Sequence, residues 1–142
     1  MSWTLVAGLI AVAVAAGLIS LGATLSEDGA TIDDLAPGYQ QTYRVTRNGT
    51  WEVAFFAPEG RLAIDVRGHA DFDPIASLIA IDSDREISFN NDRGVDGVSR
   101  FGGHHLDALV DVRIDAGRYR LVVSGWNGQA GGGHVIFVDV GD

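Results

Sequence analysis

The side chains of this chain best suited to chemistry are hard oxygen donors. Asp71, Asp73, Asn90, Asn91, Asp92 and Asp96 fall in two short stretches, 71–73 and 90–96, on either side of an apolar run. A hard cation such as calcium takes six to eight oxygens at about 2.3–2.6 Å, mostly from carboxylates, Asn side chains and loop carbonyls. Strands paired through the apolar run would bring both stretches to one end of a sheet, so Asp71, Asp73, Asn91 and Asp92 are candidate calcium ligands. The spacing is not that of an EF-hand, and Asp and Asn are equally the common turn formers. Asp73-Pro74 reads as a turn into a strand as readily as a ligand.

The other reactive groups make weaker patterns. His69, His104, His105 and His134 include no pair at the helical i, i+4 or the strand His-x-His spacing that sets two imidazoles on one metal. Adjacent His104 and His105 would point apart on a strand, and they fit a solvated loop. Ser99 and Ser124 lie outside any Gly-x-Ser-x-Gly context, and Val123-Ser124-Gly125 reads as the end of a strand. Gly102-Gly103 and Gly131-Gly132-Gly133 lack the strand–loop–helix setting that cradles phosphate. Asn48-Gly49-Thr50 matches a glycosylation acceptor, but a turn explains the same residues. Trp126, in Ser-Gly-Trp-Asn-Gly-Gln, either contacts a partner or closes the end of a core. No catalytic residue and no resident cofactor is expected, with calcium the one ligand the donors admit.

Composition narrows the classes further. The chain has 142 residues, ten Arg, no Lys, nineteen acids and a formal net charge of −9. That balance excludes a nucleic-acid binder, whose affinity rests on basic side chains meeting phosphates. With no Cys, disulfide scaffolds, thiolate metal sites and Cys nucleophiles are excluded too. Yet 46% of the residues are hydrophobic and mean hydropathy is +0.15.

Position along the chain explains that pairing of charge with hydropathy. Residues 3–25, WTLVAGLIAVAVAAGLISLGATL, carry no charge. As a helix rising 1.5 Å per residue they would span roughly 34 Å, enough for a hydrocarbon core of about 30 Å. The run is too long for a signal-peptide core, and no basic residue precedes it. Residues 1–25 are therefore expected to form one transmembrane helix. Ala7, Ala11 and Ala15, with Ala13, Gly17 and Ser20, form rows of small residues along which helices approach closely in lipid. The first positive side chain is Arg44, so the short N-terminal tail is expected in the cytoplasm and the rest exported. Residues 26–38, with four acids and a Pro-Gly break, are expected to be a tether.

From residue 39 to 142 the pattern has period two, which predicts seven or eight short strands and an all-β, antiparallel, jelly-roll-like sandwich. Asn48-Gly49 reads as a tight hairpin turn between Tyr43/Val45 and Trp51/Val53/Phe55. Ile75–Ile81, nearly continuous in apolar residues, reads as a strand covered on both faces. No window beyond residue 25 has a helical period.

An ordered series of segments also resembles a known family. APEGRLAIDVRG (57–68), FDPIASLIAID (72–82), SFNNDRG (88–94) and IDAGRYRLVVSG (114–125) together are similar to the bacterial pre-peptidase C-terminal domain, over residues 51–140. The resemblance implies a jelly-roll-like sandwich and export. That domain is commonly appended to a secreted peptidase; here an apolar segment stands ahead of it.

The expected protein is a non-enzymatic accessory or scaffolding subunit of a bacterial membrane complex, with a respiratory or photosynthetic assembly as a plausible host. One helix would sit in the inner membrane beside integral membrane subunits and lipid, with a periplasmic sandwich docking on partners. The alternative expectation is a membrane-tethered extracellular adhesion module, calcium-assisted.

Overall fold

The computed structural model describes residues 30–141. The apolar run 3–25, with its small-residue rows at Ala7, Ala11, Ala13, Ala15, Gly17 and Ser20, lies outside the described residues. Among those described, no helix is long and apolar enough to cross a membrane.

Alternating apolar residues build nine strands: β1 (Ala30–Ile32), β2 (Tyr39–Val45), β3 (Thr50–Ala57), β4 (Gly60–Gly68), β5 (Pro74–Ala80), β6 (Arg85–Asn90), β7 (Ala108–Ile114), β8 (Gly117–Gly125) and β9 (Gly131–Val140). A helix α1 (Gly94–Phe101) separates β6 from β7, and a 3₁₀ turn (Trp126–Gly128) separates β8 from β9. The strands form two sheets, ordered β1-β3-β8-β5-β6 and β2-β9-β4-β7. Every pairing is antiparallel except β1 on β3. This is a β-sandwich.

Its core is the inward half of each alternation. Trp51, Val53, Phe55 and Ala57 of β3 face Leu62, Ile64 and Val66 of β4, with Leu78, Leu121, Val123, Val135 and Phe137 all but inaccessible. Phe55 meets Phe137 edge-on at 5.1 Å between ring centroids. Each such side chain contributes about 1.5–3 kcal/mol on leaving water, so this shared layer is what joins the two sheets.

The structure departs from the sequence expectations at four places. Asn48-Gly49 does not close a hairpin: β2 and β3 belong to different sheets. Residues 46–49 instead make a corner closed by Gly49 N–H on the Thr46 carbonyl at 2.9 Å, with Asn48 at φ 56°. The turn residues were legible; the partner strand was not. Second, β5 is covered on one face only. Ala76 and Leu78 are fully buried, while Ile75 and Ile79 point outward and stay half-buried. Third, α1 is not expected from the sequence, because Gly-Val-Asp-Gly-Val-Ser-Arg-Phe is short, contains two glycines and has no side chain capping its start, although Val95, Val98 and Phe101 do recur at a helical spacing. Fourth, the stretch 26–38 is bound to the sandwich from Ala30 onward. β1 lies in register on β3 (Ala30 on Val53, Ile32 on Phe55), Ile32 is buried, and Leu35 packs on the core.

The connections sort by end. The turns 33–38, 58–59, 81–84 and 115–116 lie at one end, and 46–49, 69–73, 91–107 and 126–130 at the other.

Candidate functional site

The second of those ends gathers nearly every residue with chemical potential. The polypeptide between β6 and β7 doubles back over β4 and β7, held by a buried arginine. Arg93, just ahead of α1, has no exposed side-chain surface. Its guanidinium bonds Asp65 Oδ1, the Gly102 carbonyl at 2.9 Å and the Ala108 carbonyl at 2.9 Å. Asp65, on the outward side of β4, also accepts from Arg67 Nε at 2.7 Å. Asp107 accepts from the backbone N–H groups of Gly68 at 3.0 Å and His104 at 2.7 Å. A buried charge persists only when paired and hydrogen-bonded, and here the pairing is what fixes the 91–107 segment.

On that scaffold stand the four histidines. His69, just past β4, and His134, on β9, bring Nε2 and Nδ1 within 3.2 Å. His104 and His105 stack with centroids 4.2 Å apart, and His104 Nδ1 accepts from Leu106 N–H at 3.2 Å. The first pair is 65 residues apart in sequence, so no spacing rule exposes it; only the pairing of β4 with β9 does.

The proposed oxygen donors are partly brought together. Asp73 and Asn91 extend from the neighbouring ends of β5 and β6, which pair up to Ala76 and Asn90. Oδ1 of each is buried and makes no hydrogen bond. Burial raises the Asp73 pKa, Asp92 and Asp107 raise it further, and His104 and His105 oppose them. Asp71 is exposed and gives its carbonyl to Gln129 Nε2 at 2.9 Å. Gln129 thereby clamps the turn, since its Oε1 accepts from Asp73 N–H at 3.0 Å. Among the described residues, no group of three or more His, Cys, Asp or Glu side chains is arranged to hold a metal. The unpaired Oδ1 atoms of Asp73 and Asn91 are two oxygen donors, against the six to eight that a calcium ion takes.

At the same end lies an open groove of about 840 Å³, lined by Tyr43, Arg44, Thr46, Trp51, His69 and the Gly131–Gly133 backbone among others. Tyr43 donates its hydroxyl to the Arg67 carbonyl at 2.8 Å, and burial, reinforced by Asp107, holds its pKa well above the ordinary phenol value. The glycines are required by contact: a Cβ on Gly131 would enter the Phe72 ring, and one on Gly133 would meet the Arg67 carbonyl. Trp126, on the 3₁₀ turn, is 49% exposed. Of the two serines weighed as nucleophiles, Ser124 lies on the outward side of the five-stranded sheet and His134 on that of the other. The sandwich core separates them.

Comparison with known proteins places this arrangement. No family model and no curated protein matches the chain. Among solved structures, it is similar to the pre-peptidase C-terminal domain of a collagenase from Bacillus anthracis: TM-score 0.56 at 12% identity, covering 78% of this chain and 93% of that one. The likeness is one of fold. A periplasmic inhibitor of g-type lysozyme from Aeromonas hydrophila is similar to the same degree, with TM-score 0.54, 14% identity and coverage of 78% and 96%. The first agrees with the resemblance carried by residues 51–140. Neither neighbour is named for a catalytic activity of the matched domain.

Proposed function

We propose that this protein is a non-enzymatic docking subunit of a bacterial membrane assembly, anchored through residues 3–25, with its sandwich exported to the periplasm. The observation that carries the reading is the outer face of the five-stranded sheet. Ala54, Ile75, Ile79 and Val122 are half-buried there, and Phe56 and Phe89 are 60% and 59% exposed. These apolar side chains, on a rigid sheet and interrupted by the Glu52–Arg120 ion pair, suit a protein partner better than water. The lack of an expected nucleophile favours a structural role over hydrolysis. The partner is an integral membrane subunit, which the small-residue rows Ala7/Ala11/Ala15 and Ala13/Gly17, with Ser20, would meet within the bilayer.

The test is solubilisation of native membranes in mild detergent. The wild-type chain is expected to migrate with a larger assembly, and Phe89→Asp with Ile79→Asp to release it while leaving the melting temperature within a few degrees. Migration of the wild type as a free monomer overturns the reading.

A second reading, a tethered, calcium-assisted adhesion module, is favoured by the orphaned Asp73 and Asn91 oxygens and by the open groove at Trp51. It requires that calcium raise the melting temperature of the full chain and that Asp73→Ala and Asp92→Ala abolish the rise. An identical melting curve in chelator ends it.

A further inference from the structure

We infer that the end of the sandwich bearing the 46–49 corner and Trp126 is a lipid-docking surface, seated in the headgroup layer; this rests on the membrane anchor proposed above.

Chain direction supplies the first argument. β1 runs parallel to β3, so the polypeptide arrives at Ala30 from the end where β3 begins, beside residues 46–49. Four residues, 26–29, separate Leu25 from Ala30. At about 3.3–3.6 Å per residue they hold Ala30 within roughly 17 Å of the end of the apolar run. Ala30 pairs with Val53, three residues up from Thr50, so with the strands upright the corner hangs about 10 Å or more below Ala30. The corner is therefore brought to within several ångströms of the interface, inside a headgroup layer some 5–8 Å deep.

Surface chemistry supplies the second. Residues 41–51 and 126–134, which meet where Asn48 N–H bonds the Gly128 carbonyl at 2.9 Å, contain no carboxylate. They present exposed Arg44 and Arg47, half-exposed Trp126, and the His69–His134 pair alongside. Indole rings favour the membrane interface, and arginines meet anionic headgroups. The rest of that end carries both signs: Asp71 and Asp73 in the adjoining turn, and Asp92, Asp96 and Asp107 with Arg93 and Arg100 in the 91–107 segment. The opposite end is more acidic still: its turns carry Asp33, Asp34, Glu59, Asp82, Asp84 and Asp115 and no basic residue, although Arg118 and Arg120 reach Asp82 and Asp84 from β8. An anionic bilayer repels that end. Chain direction and charge polarity thus select the same orientation.

Because the chain lacks Cys, one introduced thiol labels one place. Full-length Ala130→Cys and Ser83→Cys, both at exposed positions of opposite ends, would carry a nitroxide in vesicles of phosphatidylethanolamine and phosphatidylglycerol. The label at 130 is expected to collide preferentially with oxygen, and that at 83 with an aqueous nickel chelate. Combined Trp126→Ser, Arg44→Glu and Arg47→Glu should raise nickel accessibility at 130 several-fold without releasing the chain. Thr46→Cys and Ala116→Cys repeat the comparison should Ala130→Cys disturb its turn. Equal nickel accessibility at the two ends of a carbonate-resistant chain overturns the docking surface and leaves the anchor intact. Extraction by carbonate overturns the anchor and the docking surface together.

Discussion

Arg93 and Asp65 form the costliest contact in the molecule to leave half made. Both side chains are excluded from water, so removing one strands the other's charge. Arg93→Ala is expected to cost about 3–5 kcal/mol, a fall in Tm of roughly 10–25 °C for a domain this size. Replacing the pair by Arg93→Met with Asp65→Leu should cost less than either single change, since no buried charge remains unpaired. Asp73 makes the opposite prediction. Its folded-state pKa is raised, first by burial, so its stabilising contribution is present below the ordinary carboxylate range and is lost as pH rises through the folded value. Asp73→Asn should therefore raise Tm at pH 7 and give no gain near pH 3. Asp111 behaves inversely: its hydrogen bond to Arg61, with further help from Arg100, holds its pKa down, so its contribution fades on acidification. Melting curves of Asp73→Asn and Asp111→Asn against pH check both signs.

At the scale of elements, the strands were readable because period-two alternation is imposed by burial on one face, as at Trp51, Val53 and Phe55. The sheets they joined were not. Asn48-Gly49 encodes a reversal of direction but not whether the strands beyond it pair, and here the core separates them. α1 is not legible in the sequence because it is eight residues long and poor in helix propensity, and tertiary contacts, chiefly Arg93 on Asp65, hold it. Of the candidate site, the sequence placed Asp73 and Asn91 next to the ends of two strands, β5 and β6, that do pair with each other. The His69–His134 contact was hidden because it depends on β4 pairing with β9 over a separation of 65 residues. β1 offers the sharpest element test. Ile32→Ser removes the buried side chain of a three-residue strand and should cost about 1–3 kcal/mol. Amide exchange at 30–32 should rise to that of an exposed segment while β3–β8 amides stay protected.

For the molecule as a whole, one apolar layer serves both sheets, and no described element has a core of its own. Unfolding should accordingly be a single transition, with Trp51 fluorescence and far-ultraviolet circular dichroism tracing the same curve. Two separated transitions would mean that the sheets hold together independently. The same layer leaves the two outer faces free to differ. The four-stranded sheet spends part of its outer face on the 91–107 segment through Asp65 and Asp111, whereas the five-stranded sheet keeps Phe56 and Phe89 toward solvent.

The parallel strand β1 also has a mechanical meaning. Any pull transmitted from residues 1–29 reaches the sandwich first through three residue pairs, loaded in shear along β3. Those pairs are the thinnest link in the path, and behind them lies the rest of the 30–38 segment. If they part, nine residues pay out, a contour of roughly 30 Å less the distance they already span, before the load falls on β2 and its seven-residue pairing with β9. The molecule carries a short release clip in series with its strong body.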